Sequence, residues 1–122
     1  MAAKKQDYSS ICKDIEQGHF APVYLLHGEE SYFLDHITDL LIDNVLTEDE
    51  KDFNLTQFYG ADVTSIGDIV SACRRYPMMA ERQLVLFREI QAYDNRSQQL
   101  DNLSLYIKQP LESTVFVMIC KT

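Results

Sequence analysis

Cysteine is scarce in this chain of 122 residues, and the three present, Cys12, Cys73 and Cys120, are far apart and never form a CxxC pair. An odd, dispersed set supports neither a disulfide framework nor a zinc site, so the thiols are expected to be reduced and mostly buried. Long apolar runs are missing too. No stretch approaches the roughly 18 apolar residues that a membrane span needs. Met1 to Gln6 leads into polar sequence rather than an apolar signal core, which points to a cytoplasmic protein with no membrane partner. Basic residues are few: 11 Lys and Arg stand against 19 Asp and Glu, a net charge of −8. Nucleic-acid binding rests on neutralising phosphates with Lys and Arg, so the balance argues against this segment wrapping DNA or RNA directly.

A further absence is local. Val23-Tyr24-Leu25-Leu26-His27-Gly28-Glu29-Glu30-Ser31 reads as a buried strand running through one glycine into a helix, the setting in which proteins usually hold phosphate. A phosphate-cradling loop needs further glycines to bare its backbone N–H groups, a lysine for the outer phosphates and a hydroxyl for the metal. The turn offers Glu29 and Glu30 instead. Two carboxylates suit the positive end of the following helix and repel the anion such a site would attract. The segment looks like a nucleotide-binding scaffold without its nucleotide.

What is present is enough apolar sequence, 46%, for a single core in one domain over residues 1–122. Tyr8, Ile11 and Ile15 recur at helical spacing, with Gly18 to end the turn. After the first strand Ser31 can cap a helix whose apolar face is Leu34, Ile37, Leu41 and Val45. Phe53, Leu55 and Phe58 mark a second strand and Tyr59 to Asp62 a turn. Thr64 or Ser65 opens a helix with Ile66, Ile69, Val70 and Cys73 on one face. Leu84 to Phe87 suits a strand buried on both sides of a parallel sheet. Beyond a polar loop at Tyr93 to Ser97, a helix takes Leu100, Leu103 and Ile107 inward and stops before Pro110, and Thr114 to Ile119 forms a last strand. The alternation predicts an α/β fold, a doubly wound parallel sheet of about four strands with flanking helices.

Ligands of open α/β sheets sit at the carboxyl ends of the strands. There the sequence offers His27-Gly28-Glu29, Tyr59 to Asp62, Arg88-Glu89 and Cys120-Lys121. In an active ATPase the third strand would end in an aspartate for magnesium, and Arg88 stands there instead. A phosphoacceptor receiver domain fails at the same position. His27 beside Glu29 and Glu30 can be drawn as an acid–base group and Cys120 as a nucleophile, but spacing fixes no partner for either. No catalytic residue, cofactor or metal site is assigned.

Charge is uneven. Residues 29–52 carry nine acids against Lys51 alone, whereas Arg74, Arg75, Arg82 and Arg88 follow with only Glu81 among them, a basic patch for an acidic partner or a solvated surface. Between the Ile66 helix and the Leu84 strand stands Arg74-Arg75-Tyr76-Pro77-Met78-Met79-Ala80-Glu81-Arg82-Gln83. Paired methionines on a loop held by proline make an adaptable plug for another protein's apolar pocket, unless they fold back to cover the core.

Three segments together, APVYLLHGEESYFLDHITDLLID, FYGADVTSIGDIVSACRRYPMMAERQLVLFREI and LYIKQPLESTVFVMIC, resemble the N-terminal domain of the delta subunit of the bacterial DNA polymerase III clamp loader. The resemblance covers nearly the whole chain. It implies a fold like that of the AAA+ ATPases, a degenerate P-loop NTPase-like domain without the phosphate loop, and a mechanical role in DNA replication. Delta binds the ring-shaped β sliding clamp and holds one interface open, while ATP is used elsewhere in the loader. In the family two adjacent bulky apolar residues enter a pocket on the clamp; here they correspond to Met78 and Met79, preceded by Tyr76 and Pro77, with Arg74 and Arg75 as a possible rim. This chain has Met-Met where a leucine and an aromatic residue can stand. Family members are considerably longer, so the resemblance implies a fragment of a longer chain, with other loader subunits bound through the missing regions and DNA reached only through the full complex. AAA+ strand order would also leave Val23 to Leu26 at a sheet edge. Two other readings stand beside this one: a small degenerate NTPase-like enzyme using the strand ends, and a stand-alone interaction domain unrelated to replication.

Overall fold

Two strands with continuous apolar runs, Leu84 to Phe87 and Val115 to Ile119, demand cover on both faces, and the architecture supplies it. The computed structural model describes residues 8–93 and 100–121. Its elements are α1 (Tyr8–Glu16), β1 (Val23–Gly28), α2 (Ser31–Val45), α3 (Glu48–Asn54), β2 (Leu55–Tyr59), α4 (Ile66–Arg74), β3 (Gln83–Arg88), α5 (Leu100–Lys108) and β4 (Thr114–Lys121). Short 3-10 turns at Gly60–Asp62 and Ile90–Ala92 follow β2 and β3. The expected loop at Asp94 to Ser97, the Met1 to Gln6 segment and the side chain of Leu100 lie outside the described residues.

The four strands pair in parallel in the order β1-β4-β3-β2. From β1 the chain crosses to the far edge and then returns by way of β3 to β4. With right-handed crossovers, that reversal of direction sends the connecting helices to opposite faces. Leu84 and Leu86 of β3 with Val115 and Val117 of β4 accordingly pack under α2 and α1, against Ile15, Leu34, Ile37 and Leu41. Their neighbours Val85, Phe87, Phe116 and Met118 face α4 and α5, against Ile66, Ile69, Cys73, Leu103 and Tyr106. The alternation follows from the two-residue period of a strand. Full burial of each Leu or Phe contributes about 1.5–3 kcal/mol, so these central strands dominate the core.

Several local expectations change. Phe53 is not in a strand: it lies in α3 and is 69% exposed, and β2 begins only at Leu55. Thr47 and Glu50 form a capping box, the Thr47 Oγ1 accepting from the Glu50 N–H at 3.4 Å and the Glu50 carboxylate from the Thr47 N–H at 3.0 Å. Glu48, Asp49 and Glu50 fill the first turn, where the helix dipole favours anions, and together these outweigh the strand preference of one phenylalanine. In α2 the cap position is Glu30, without a side-chain cap bond, and Ser31 is already helical. Ser65 caps α4 as expected, accepting from the Gly67 N–H at 3.2 Å.

In α5 it is Tyr106, not Ile107, that turns inward, because Tyr106 lies one turn beyond Leu103 and its hydroxyl can accept from the Leu111 N–H at 3.2 Å while the ring is buried. Ile107 is exposed. The first strand is an edge rather than a fully buried strand, with Leu25 65% exposed. Of the cysteines, all free, only Cys73 is buried; Cys12 and Cys120 are half-buried. At Gly60 a Cβ would collide with the carbonyl oxygen of Glu89, so the turn after β2 needs glycine for close approach.

Candidate functional site

The carboxyl ends of the strands are filled by the chain's own polar contacts. Glu29 and Glu30 are exposed at the start of α2. The Arg88 Nε donates to Gln57 Oε1 at 2.8 Å, which ties the end of β3 to β2. Lys121 bridges Asp35 of α2 at 2.9 Å and Glu89 at 3.7 Å, and its backbone N–H donates to Gln91 Oε1 at 3.0 Å. Lys121, at the end of β4, is therefore already paired with two carboxylates. A shallow depression beside β2 is lined by Asp62 and Asp68, again the wrong sign for phosphate. His27 stands in register with Cys120 but is exposed. No group of three His, Cys, Asp or Glu that could hold a metal occurs among the described residues.

The methionine loop lies at the other end of the sheet, between the end of α4 and the start of β3. It is the most exposed apolar group there: Tyr76 is 85%, Met78 57% and Met79 93% exposed, with Pro77 half-buried between them. The methionines do not fold back over the core. Large apolar side chains held out in water at one loop contribute little to the packing of the core.

Two buried amides hold the loop's backbone while its side chains point out. Asn54, at the end of α3 and 2% exposed, accepts the Met78 N–H on Oδ1 at 2.7 Å and donates Nδ2 to the Met78 carbonyl at 2.9 Å and to the Glu50 carbonyl at 3.1 Å. Gln83, 3% exposed, aims its Nε2 at the carbonyls of Arg75 at 2.7 Å and Ala72 at 2.9 Å. Met79 has a φ of +59°, a left-handed conformation that few non-glycine residues adopt unless the surroundings impose it.

Neither Asn54 nor Gln83 stands out in the sequence as a functional residue. Asn54 ends a mostly charged segment, Glu48 to Asn54, so no sequence signal marks it, and its burial comes from the fold. The structure also divides the expected basic patch. Arg75 donates to Thr56 Oγ1 at 3.3 Å, Arg74 lies 5.9 Å from the Tyr106 ring and Arg82 5.2 Å from the Phe20 ring, all at the loop's end of the sheet. Arg88 is at the opposite end, because β3 runs the sheet's full depth between Arg82 and Arg88.

Comparisons with known proteins agree with one another. The family model for the DNA polymerase III delta subunit matches residues 24–122. The DNA polymerase III subunit delta of Bacillus subtilis is 27% identical over 115 residues, which cover 89% of this chain and 33% of that protein. The solved structure of the Bacillus subtilis DNA clamp loader delta protein superposes with a TM-score of 0.84 at 26% identity, over 94% of this chain and 35% of that one. A gamma subunit-related protein of DNA polymerase III from Thermotoga maritima shares the fold, with a TM-score of 0.64 at 18% identity over 95% of this chain and 40% of its own. A RuvB mutant from the same organism does so at 0.51 and 17%, over 93% of this chain and 36% of its own. The fold is thus of the AAA+ clamp-loader type, and the chain spans about a third of the length of its delta relatives. The chain belongs to the delta subunit family of DNA polymerase III, a clamp-loader family of DNA replication.

Proposed function

We propose that this chain is the N-terminal domain of a delta subunit that binds the β sliding clamp through Met78 and Met79, with Tyr76 and Pro77 beside them, and helps to hold the ring open for loading on primed DNA. The observation that carries this reading is the pairing of exposed apolar side chains with an anchored backbone at residues 76–79. A loop fixed in advance binds without the entropy cost of being ordered, so its apolar side chains contribute to affinity directly. Methionine is unbranched and polarisable, which suits a pocket that other delta subunits fill with different residues. Assembly with other loader subunits and contact with DNA belong, on this reading, to the rest of the polypeptide and the full complex.

The domain itself does no ATP chemistry in this proposal. Support comes from the single glycine at Gly28, the carboxylates that follow it and the ion-paired Lys121. Titration of the whole chain against a β clamp tests the first part. Hot-spot residues typically lose about 2 kcal/mol or more on truncation, so Met78→Ala with Met79→Ala should weaken binding roughly thirtyfold with the fold unchanged. Unaltered binding by that double variant would overturn the docking role. Calorimetry tests the second part, and a saturable magnesium-dependent heat with ATP would refute it.

A further inference from the structure

We propose that Asn54 is the positioning residue of the docking loop, and that α3 is therefore a working part of the clamp-binding surface. This inference rests on the reading of Met78 and Met79 as the docking residues.

Asn54 is distant from the loop in sequence, and its side chain is the described hydrogen-bonding group that meets both backbone polar atoms of Met78. The two bonds at 2.7 and 2.9 Å form a closed ring between one carboxamide and one peptide residue, which fixes rotation as well as position. A third bond, to the Glu50 carbonyl at 3.1 Å, orients the carboxamide from within α3. Because the N–H of Met78 must meet an acceptor and its C=O a donor, the amide is held in one orientation. An aspartate of the same shape would satisfy the first bond and oppose the second.

The lock matters because the following residue is in an unfavourable conformation. Met79 at φ +59° presents its side chain, 93% exposed, from a backbone state that an unrestrained methionine leaves. With Met78 pinned, Met79 projects from a defined point. With Met78 released, two or three residues must be ordered at the moment of binding, a penalty equivalent to roughly tenfold or more in affinity. The acidic capping box at Thr47 and Glu50, by fixing the helix that carries Asn54, supports the same geometry.

The test is a double-mutant cycle in the whole chain, read by binding to a β clamp and by hydrogen exchange at the Met78 amide. Asn54→Ala is expected to weaken binding about tenfold and to release the Met78 amide to fast exchange, with core amides of β3 and β4 still protected. In the Met78→Ala, Met79→Ala background the same change is expected to have no further effect, which a merely structural role would not produce. Should Asn54→Ala fail to fold, Asn54→Asp keeps one acceptor and is expected to show the same coupling. Equal losses in both backgrounds, or normal binding by folded Asn54 variants while the methionine variant is weak, would overturn the positioning role alone. Normal binding by the methionine variant would instead remove the reading on which it rests.

Discussion

Gln83 and Thr114 lie 31 residues apart in sequence, and their side chains meet at 2.9 Å where β3 and β4 begin. Both are buried, and both turn to the end of α4: the Thr114 hydroxyl donates to the Cys73 carbonyl at 2.7 Å while Gln83 serves the carbonyls of Ala72 and Arg75. The last turn of a helix leaves carbonyls without intrahelical partners, and here two strand residues supply the missing donors. The point at which the methionine loop leaves α4 is thereby tied to the centre of the sheet.

Replacing Gln83 with Leu should therefore be costly despite similar volume. It takes the amide donor from the Arg75 carbonyl and leaves the Ala72 carbonyl with the Arg75 N–H alone, and a buried group so orphaned costs about 1–3 kcal/mol. Urea unfolding is expected to show a loss of about 2 kcal/mol. A change below about half a kilocalorie would mean that water replaces the amide at this site.

Arg75 stands beside the loop with its guanidinium near Thr56, exposed to solvent. Charges at the rim of an interface act chiefly on encounter and salt dependence. Stopped-flow binding of Arg75→Ala to the clamp should show a slower on-rate at low salt and little change in off-rate. An off-rate effect as large as that of the methionine variant would put Arg75 inside the interface.

Among the described residues the first strand is an edge of the sheet that pairs only with β4, and Leu25 on it is 65% exposed. Open apolar edges pair with other chains. Weak self-association of this chain is expected, visible as a concentration-dependent mass in sedimentation and suppressed by Leu25→Lys. A strictly monomeric chain with protected amides from Val23 to Leu26 would contradict this.

Burial raises the Cys73 thiol from 9.0 to about 12, with Arg74 and Arg75 opposing the shift. Below pH 9 the folded and unfolded chains both hold the proton, and the stabilising contribution is complete. Between pH 9 and 12 the unfolded chain ionises and the folded one does not, so stability falls as pH rises, by about 1.4 kcal/mol per unit for one group. Tyr24 and Tyr106, also raised by burial, push in the same direction. Denaturation of Cys73→Ala between pH 8 and 11 should give a shallower decline than the parent chain. Parallel curves would mean that Cys73 ionises in the folded protein.

Much of this architecture is legible in the order of residues, because it depends on local periodicity. Continuous apolar runs at Leu84 to Phe87 and Thr114 to Ile119 already require a sheet covered on both faces, and the i, i+3, i+4, i+7 series from Ile66 to Cys73 already specifies a helix face. The Tyr76 to Met79 loop was visible for a similar reason, since apolar residues that match neither period have no place in the pattern. The capping box at Thr47 and Glu50 was equally local, and reading Phe53 as a strand residue passed over it. Tertiary structure alone decided the rest. Which side of α5 faces inward goes with the Tyr106 hydroxyl meeting the Leu111 N–H, and the backbone of the exposed methionine loop is held by Asn54, 24 residues before Met78 in the sequence. A buried amide is stable only with partners at hydrogen-bond distance, and Met78 is brought to Asn54 by the parallel pairing of β2 with β3, which places the residues that precede the two strands side by side.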